Sequence, residues 1–236
     1  MLAIYKREML SYFTSPIGYI FMAMFMAMSG ILFALMTFLV NSTSTSTYFY
    51  FLIFIFIIVV PLLTMKLMSE ERKLKTEQIL LTSPVSITSI ILAKFFAAFT
   101  MFALTFIVSE MLHFFALGKY TDNINYPEVL GTVIGVLLIG AAFVAVGLFI
   151  SSLTESQIVA AISTIAAILI LISISFVANY IPNDFLANTV RWFAILSRFS
   201  PFTIGILDLA SVIYYISLAV IFIFLSVRVY EKRRWS

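Results

Sequence analysis

Long apolar runs separated by short polar stretches dominate this chain of 236 residues. The hydrocarbon core of a bilayer is about 30 Å thick, so a helix of about 20 apolar residues spans it. Six runs are long enough, and they predict an all-α membrane protein with six transmembrane helices in one domain, residues 1–236. The predicted spans are residues 17–40, 48–65, 88–115, 129–150, 158–177 and 209–227.

The first residues form a separate amphipathic pattern. At helical spacing, most apolar side chains of residues 2–14 share one face, and Lys6, Arg7 and Glu8 lie elsewhere. Such a pattern predicts a helix that lies in the membrane interface before the first span. The apolar face consists of Leu2, Tyr5, Met9, Tyr12 and Phe13.

Residues 183–205 are too apolar for a solvated loop, yet Arg191, Arg198 and Pro201 interrupt them too often for a span. Irregular backbone at membrane depth is tolerated only where protein or a water-filled cavity covers it. We therefore expect a short helix and a re-entrant turn over the outer mouth of the helix bundle, before the last span.

Composition supports the membrane assignment, because 63% of the residues are hydrophobic and only 11% are charged. Lysine and arginine concentrate on the cytoplasmic side of membrane proteins. Placing both termini in the cytoplasm puts eleven of the 14 basic residues inside and leaves Lys119, Arg191 and Arg198 outside. This skew predicts cytoplasmic termini. Lys94 and Glu110, about 24 Å apart along the third predicted helix, are expected to snorkel to opposite surfaces.

The densest charge lies in residues 69–84, "SEERKLKTEQILLTSP". A leucine recurs every seven residues at Leu67, Leu74 and Leu81, which predicts a short helix with a narrow apolar line. Glu71 with Lys75, and Lys73 with Glu77, have the spacing of helical ion pairs. Two interpretations follow from these residues: a solvated connection between two spans, or a surface that docks a soluble partner.

Four stretches of the sequence resemble the permease subunits of ABC-2 type transporters, in particular the gliding-motility permease group. They are "YFTSPIGYIF" (12–21), "EERKLKTEQILLTSPVS" (70–86), "GLFISSLTESQIVAA" (147–161) and "LDLASVIYYISLAVIFIFLSVRVYEKRRW" (207–235). The second stretch is the most specific. It departs from the group at Lys75, where glycine is usual, and at Gln78, where glutamate is usual.

The resemblance implies a permease subunit of a bacterial ABC transporter, an exporter by expectation, in the inner or plasma membrane. It implies a cytoplasmic ATPase subunit and a second permease half, identical or related, and no nucleic-acid partner. ATP and Mg²⁺ would bind the ATPase, so no cofactor is expected on this chain. The residues expected to couple to the ATPase are Glu70, Glu71, Arg72, Leu74, Thr76, Leu80, Leu81 and Pro84.

The sequence predicts a subunit that is not itself an enzyme. No GxxxxGK[ST] phosphate loop is present in the sequence. Glu70 and Glu71 faintly match the EExxxR pattern of membrane metalloproteases, but such a metal site needs more than the single histidine, His113. The alternative is a permease-like membrane anchor or a channel subunit without ATP-driven transport.

Two further patterns, one of polar and one of small residues, lead to expectations. Glu110 and His113 share a helix face near the outer surface, either as a hydrated interface pair or as part of an exit vestibule. The glycines at 131, 135, 140 and 147 predict close helix packing within the chain, with a dimer seam as the alternative.

The second inner turn contains Thr154, Glu155 and Gln157. Thr154 and Gln157 have the spacing of a capping box that would start the fifth span. Asp208 is expected to cap the sixth.

Overall fold

The computed structural model describes residues 1–38, 45–78, 85–121 and 124–234. These residues form helices and no strand. The helices are α1 (Leu2–Thr14), α2 (Pro16–Phe33, extended by a π-helical turn at Ala34–Phe38), α3 (Ser46–Thr64), α4 (Ser69–Lys73), α5 (Ile87–Tyr120), α6 (Tyr126–Leu153), α7 (Gln157–Val177), α8 (Asp184–Phe193), α9 (Ile195–Thr203) and α10 (Leu209–Arg234).

Six helices among the described residues are long and apolar enough to cross a membrane, as the sequence predicted. They are α2, α3, α5, α6, α7 and α10. Within their most apolar windows, 61–67% of the residues of α3, α5 and α6 are buried, against 28% for α2, α7 and α10. The first three helices therefore form the centre of the bundle, and the other three form its outer layer.

Glycines let neighbouring chains approach α6 closely. A Cβ at Gly131 or Gly135 would meet the backbone or ring of Phe202, and a Cβ at Gly140 would meet the ring of Phe102. At Gly147 it would meet Thr64. All four glycines thus face other helices of the same chain, which confirms the expectation of packing within the chain.

The N-terminal helix α1 is present over the predicted residues, but its buried face differs from the prediction. Glu8 and Tyr12 are buried, whereas Leu2 is 66% exposed and Phe13 is 43% exposed. The reason is that α1 packs on α5 through a charged contact to Lys94. The spacing of apolar residues does not indicate that an acidic residue is buried against a partner on another helix.

Two short helices replace the predicted single helix and turn between the last two spans. Asn183 caps α8 by accepting hydrogen bonds from the backbone N–H groups of Phe185 and Leu186. Helix α9 buries Ile195, Phe199 and Phe202 against α6 and α7. Gly205 ends the segment with φ of 78°, a left-handed conformation that favours glycine.

The last span begins as predicted. Asp208 accepts hydrogen bonds from the backbone N–H groups of Ala210 and Ser211. The Ser211 hydroxyl donates a further hydrogen bond, at 2.5 Å, which is the main cause of a lowered pKa of the Asp208 carboxyl. An ionised carboxylate at this helix start satisfies N–H groups that would otherwise lack an acceptor.

Candidate functional site

Four alternating charges form a ring where α1, α4 and α5 meet. Lys94 Nζ lies 3.1 Å from Glu8 Oε1 and 3.0 Å from Glu71 Oε1. Arg7 Nη2 lies 2.6 Å from the same Glu8 oxygen and 2.5 Å from the same Glu71 oxygen. We call Arg7, Glu8, Glu71 and Lys94 the charged ring. Its two cations and two carboxylates compensate each other and join three helices.

Lys94 is the most enclosed member of the ring, with a side chain only 1% exposed. Its ammonium also donates a hydrogen bond of 2.7 Å to the carbonyl of Leu67, just before α4. A buried ammonium needs such partners, because removing one partner from a buried ion pair leaves an uncompensated charge. The prediction that Lys94 and Glu110 snorkel to opposite surfaces is therefore wrong: both side chains are buried among other helices.

The ring keeps Glu8 ionised. Burial alone would favour the neutral acid, but the charge of Lys94 and the hydrogen bonds from Arg7 and Lys94 outweigh it and lower the pKa of Glu8. An ionised Glu8 is the form that holds α1 on α5.

The segment after α3, residues 69–78, carries the charges that the sequence singled out. The predicted helix over 69–84 is wrong within the described residues, because α4 ends at Lys73 and Lys75 adopts a φ of 57°. The N–H of Leu74 bonds to the carbonyl of Glu70 and the N–H of Lys75 to that of Arg72, which closes the helix end. Leu67 and Leu74 consequently do not share a helix face, and Leu81, with Leu80 and Pro84, lies outside the described residues.

The predicted helical ion pairs are replaced by contacts to distant elements. Glu71 contacts Arg7 and Lys94 instead of Lys75. Glu77 contacts Arg233 near the end of α10, with Arg233 Nη1 3.4 Å from Glu77 Oε1. Arg233 also donates a 2.5 Å hydrogen bond to the carbonyl of Ser152 at the end of α6.

Arg72 fixes the segment to the turn between α6 and α7. Its Nε lies 3.0 Å from Glu155 Oε1, and its Nη1 donates to the carbonyl of Leu153 at 2.8 Å. The hydroxyl of Ser151 accepts hydrogen bonds from the backbone N–H groups of Met68 and Ser69. The 69–78 segment and the α6–α7 turn are thus one connected unit.

The α6–α7 turn, predicted to be the second inner turn, starts α7 differently from the prediction. Ser156, not Thr154, is the N-cap, and its hydroxyl accepts from the N–H of Val159. Thr154 accepts from the N–H of Ser156 instead, and Gln157 is the first residue of α7. Thr154 lies one residue before the bend at Glu155, so the capping-box assignment was shifted by two residues.

The remaining predicted coupling residues differ in their exposure. Leu74 is 64% exposed, although it is apolar. Lys73, Lys75 and Thr76 beside it are exposed as well, and Thr76 bonds back to the carbonyl of Glu71. Glu70 and Leu74 border a cavity of about 260 Å³ that also touches the charged ring.

Sequence reasoning did not identify Glu8, Lys94, Ser151 or Arg233 as parts of this site. The sequence contains one indication, and it concerns Lys94. This lysine is the single charged residue in the first half of a long apolar run, and such a lysine needs a carboxylate partner. The identity of that partner depends on which helices meet, which the linear pattern does not contain.

At the opposite end of α5, Glu110 and His113 lie together as their spacing predicted. His113 Nδ1 is 3.6 Å from Glu110 Oε1, and the hydroxyl of Tyr48 on α3 bonds to Glu110 at 2.6 Å. Glu110 is 3% exposed, so it is enclosed by protein rather than hydrated at the surface. The vestibule role stays a prediction.

Comparison with known families agrees with this architecture. Residues 33–229 match the family described as ABC-2 family transporter protein. The matched region runs from the end of α2 into α10 and includes the 69–78 segment and the α6–α7 turn. A comparison with curated proteins gave no match.

Proposed function

Since the chain belongs to the ABC-2 transporter family, we propose that it is the permease subunit of a bacterial ABC exporter, driven by ATP hydrolysis on a separate subunit. It is a multi-pass membrane protein with six helices able to span a bilayer. In this proposal the end that carries the charged ring faces the cytoplasm, and the membrane is the bacterial inner or plasma membrane.

The observation that carries the proposal is an exposed leucine on a firmly connected segment. Leu74 projects at 64% exposure, beside the exposed Lys73 and Lys75. Burying such a side chain in a partner's groove contributes roughly 1.5–3 kcal/mol. We infer that Leu74 is the apolar anchor for the ATPase and that the neighbouring lysines lie at the rim of the contact.

The charged side chains of the segment connect the Leu74 anchor to the spans. Glu71 reaches α1 and α5, Arg72 reaches the α6–α7 turn, and Glu77 reaches α10. A displacement of Leu74 by the ATPase would therefore move several helices together instead of bending one loop. Such rigid transmission is what a switching transition between two packed arrangements requires.

This proposal modifies the expectation that Glu70, Glu71 and Arg72 pair with the ATPase. Glu71 and Arg72 already have partners within the chain. Glu70, beside Leu74 at the mouth of the 260 Å³ cavity, is the acidic residue better placed for a partner. ATP and Mg²⁺ would bind the ATPase, and a second permease half, identical or related, would complete the transporter.

The test is co-purification of an ATPase subunit with the tagged chain from its native membranes. The wild-type chain should bring down a polypeptide with a phosphate loop and Mg²⁺-dependent ATPase activity. Leu74→Asp should reduce its recovery at least about tenfold, because losing 1.4 kcal/mol or more changes a binding constant by that factor. Lys73→Ala is the matched control, since a rim charge contributes under about 1 kcal/mol.

Recovery of the ATPase at the wild-type level with Leu74→Asp would contradict the anchor role. Absence of any ATPase from the wild-type preparation would instead favour a membrane anchor or channel subunit. The variant should insert normally in each case, because Leu74 lies outside the six helices that pack as spans.

A further inference from the structure

The cluster of Tyr48, Glu110 and His113 is a buried titratable group that the coupling mechanism does not use. It lies between α2, α3 and α5, about 24 Å along α5 from the charged ring at 1.5 Å per residue. The side chain of Glu110 is 4% exposed and that of His113 is 12% exposed. Glu110 Oε2 is buried without a hydrogen-bond partner.

The protons of the cluster can be assigned from its distances. Tyr48 has one hydroxyl proton, and its oxygen lies 2.6 Å from Glu110 Oε1 and 3.1 Å from His113 Nδ1. Hydrogen bonds from a hydroxyl to a carboxylate are the shorter and stronger kind. Tyr48 therefore donates to Glu110, and the 3.1 Å contact is a hydrogen bond only if His113 Nδ1 carries a proton.

This assignment of donors also determines whether the other ring nitrogen of His113, Nε2, donates or accepts. A neutral imidazole has one N–H, so a proton on Nδ1 leaves Nε2 as an acceptor. Phe33 stacks on His113 with ring centroids 4.7 Å apart and an angle of 9°, while Tyr48 packs edge-on against it. The ring is thereby held in one plane, with Nε2 toward Gly30, where a Cβ would make only an ordinary contact of 3.8 Å.

We propose that Tyr48, Glu110 and His113 form a proton-binding site in which Glu110, acting through Tyr48, directs the proton of His113 to Nδ1 and leaves Nε2 to accept a second one. Proton uptake at Nε2 gives an imidazolium whose Nδ1 lies 3.6 Å from Glu110 Oε1. The Glu110 carboxylate compensates this charge without any further ion. Of the two ionisable side chains Glu110 and His113, His113 is the more exposed.

Other ionisable groups near this end have contacts of their own. On α5, Lys119 lies over the ring of Phe115 and Tyr120 packs against Phe38. On α3, Tyr50 packs against Phe199. Glu128 on α6 accepts a hydrogen bond from Ser46, and the only ionisable residue of the described part of α2 is Tyr19, at its opposite end.

The experiment uses the single histidine of the chain. The full-length protein, purified with a histidine-free tag and labelled with ¹⁵N-imidazole histidine, gives the signals of His113 alone. In the wild type, the neutral form should carry its proton on Nδ1, and acidification should add the second proton at Nε2. A neutral form with its proton on Nε2 would overturn the proposal, because Tyr48 would then donate to His113 and not to Glu110.

Two substitutions of Glu110 separate its role from a general effect on packing. Glu110→Leu removes the acceptor of Tyr48, so the tyrosine should turn its proton to His113 and move the imidazole proton to Nε2. Glu110→Gln keeps an acceptor oxygen and should retain the Nδ1 form, as should the control Glu128→Gln. An unchanged tautomer in a folded Glu110→Leu protein would overturn the proposal, and the wild-type tautomer decides the matter if that variant does not fold.

Discussion

At the scale of single residues, the backbone conformation of Lys75 carries an energetic cost. It has a φ of 57°, directly after Leu74, the C-cap residue of α4. A left-handed conformation costs a non-glycine residue roughly 1–2 kcal/mol. The lysine therefore carries a strain that glycine would not.

We expect Lys75→Gly to stabilise the protein by up to about 1 kcal/mol, because the relieved strain exceeds the extra chain entropy of glycine. The measurement is thermal unfolding of the purified chain in detergent. Lys73→Gly is the control: Lys73 is the last residue of α4, where glycine costs up to about 1 kcal/mol relative to alanine. A decrease in melting temperature for both variants would contradict a left-handed Lys75.

Glu8 is one of the residues that hold α1 on α5. Glu8→Gln should destabilise the protein by roughly 1.5–3 kcal/mol, the usual contribution of hydrogen bonds to charged groups, because Lys94 loses one of its two carboxylates. In a Lys94→Met background, removing the charge of Glu8 should lower the free energy of unfolding far less. The double variant Glu8→Gln, Lys94→Met, measured against both single variants, gives the coupling energy, and a value near zero would contradict the contact.

The lowered pKa of Glu8 also gives a pH dependence with a definite sign. Its stabilising contribution is fully present above its unfolded-state pKa and is lost as the pH falls through the lower pKa of the folded state. The stability of the wild type should therefore fall on acidification below about pH 4.5 more steeply than that of Glu8→Gln. Parallel acid curves for the two proteins would contradict the assignment.

At the scale of helices, the spans were predictable and their contacts were not. Mean hydropathy identified all six, because a bilayer demands long apolar runs regardless of tertiary structure. The α4 helix was predicted too long, since the leucine spacing around Leu74 suited a helix that Lys75 terminates. The partners of Lys94 and Glu71 depend on helix packing, and no sequence period encodes them.

The close packing of α6 makes a helix-scale prediction. At Gly140 a Cβ would overlap the buried ring of Phe102, whereas at Gly30 on α2 it would have an ordinary contact 3.8 Å from His113. Gly140→Ala should destabilise the protein by roughly 1–3 kcal/mol, as overpacked cores do. Gly30→Ala should be neutral or slightly stabilising, because alanine favours helix. Equal melting temperatures for the two variants would contradict the contact of α6 with α5.

At the scale of the whole molecule, the two ends of the bundle differ: ion pairs link the elements at one end, and short packed helices cover the other. The charged ring, the Arg72–Glu155 pair and the Glu77–Arg233 pair join the 69–78 segment and the α6–α7 turn to α1 and α10. The other end is covered by α8 and α9, with Phe199 and Phe202 buried. This asymmetry is what a permease needs if it receives movement at one membrane surface and opens at the other.

The orientation of this asymmetric bundle is the last prediction. Basic residues avoid translocation, and eleven of the 14 lie at the charged end, so that end should face the cytoplasm. The chain has no cysteine, so a single introduced thiol reports one position. Pro182→Cys, exposed between α7 and α8, should react with a membrane-impermeant thiol reagent in intact cells. Lys73→Cys, exposed on α4, should react only after the membrane is permeabilised; the reverse result would invert the topology and place Leu74 beyond the reach of a cytoplasmic ATPase.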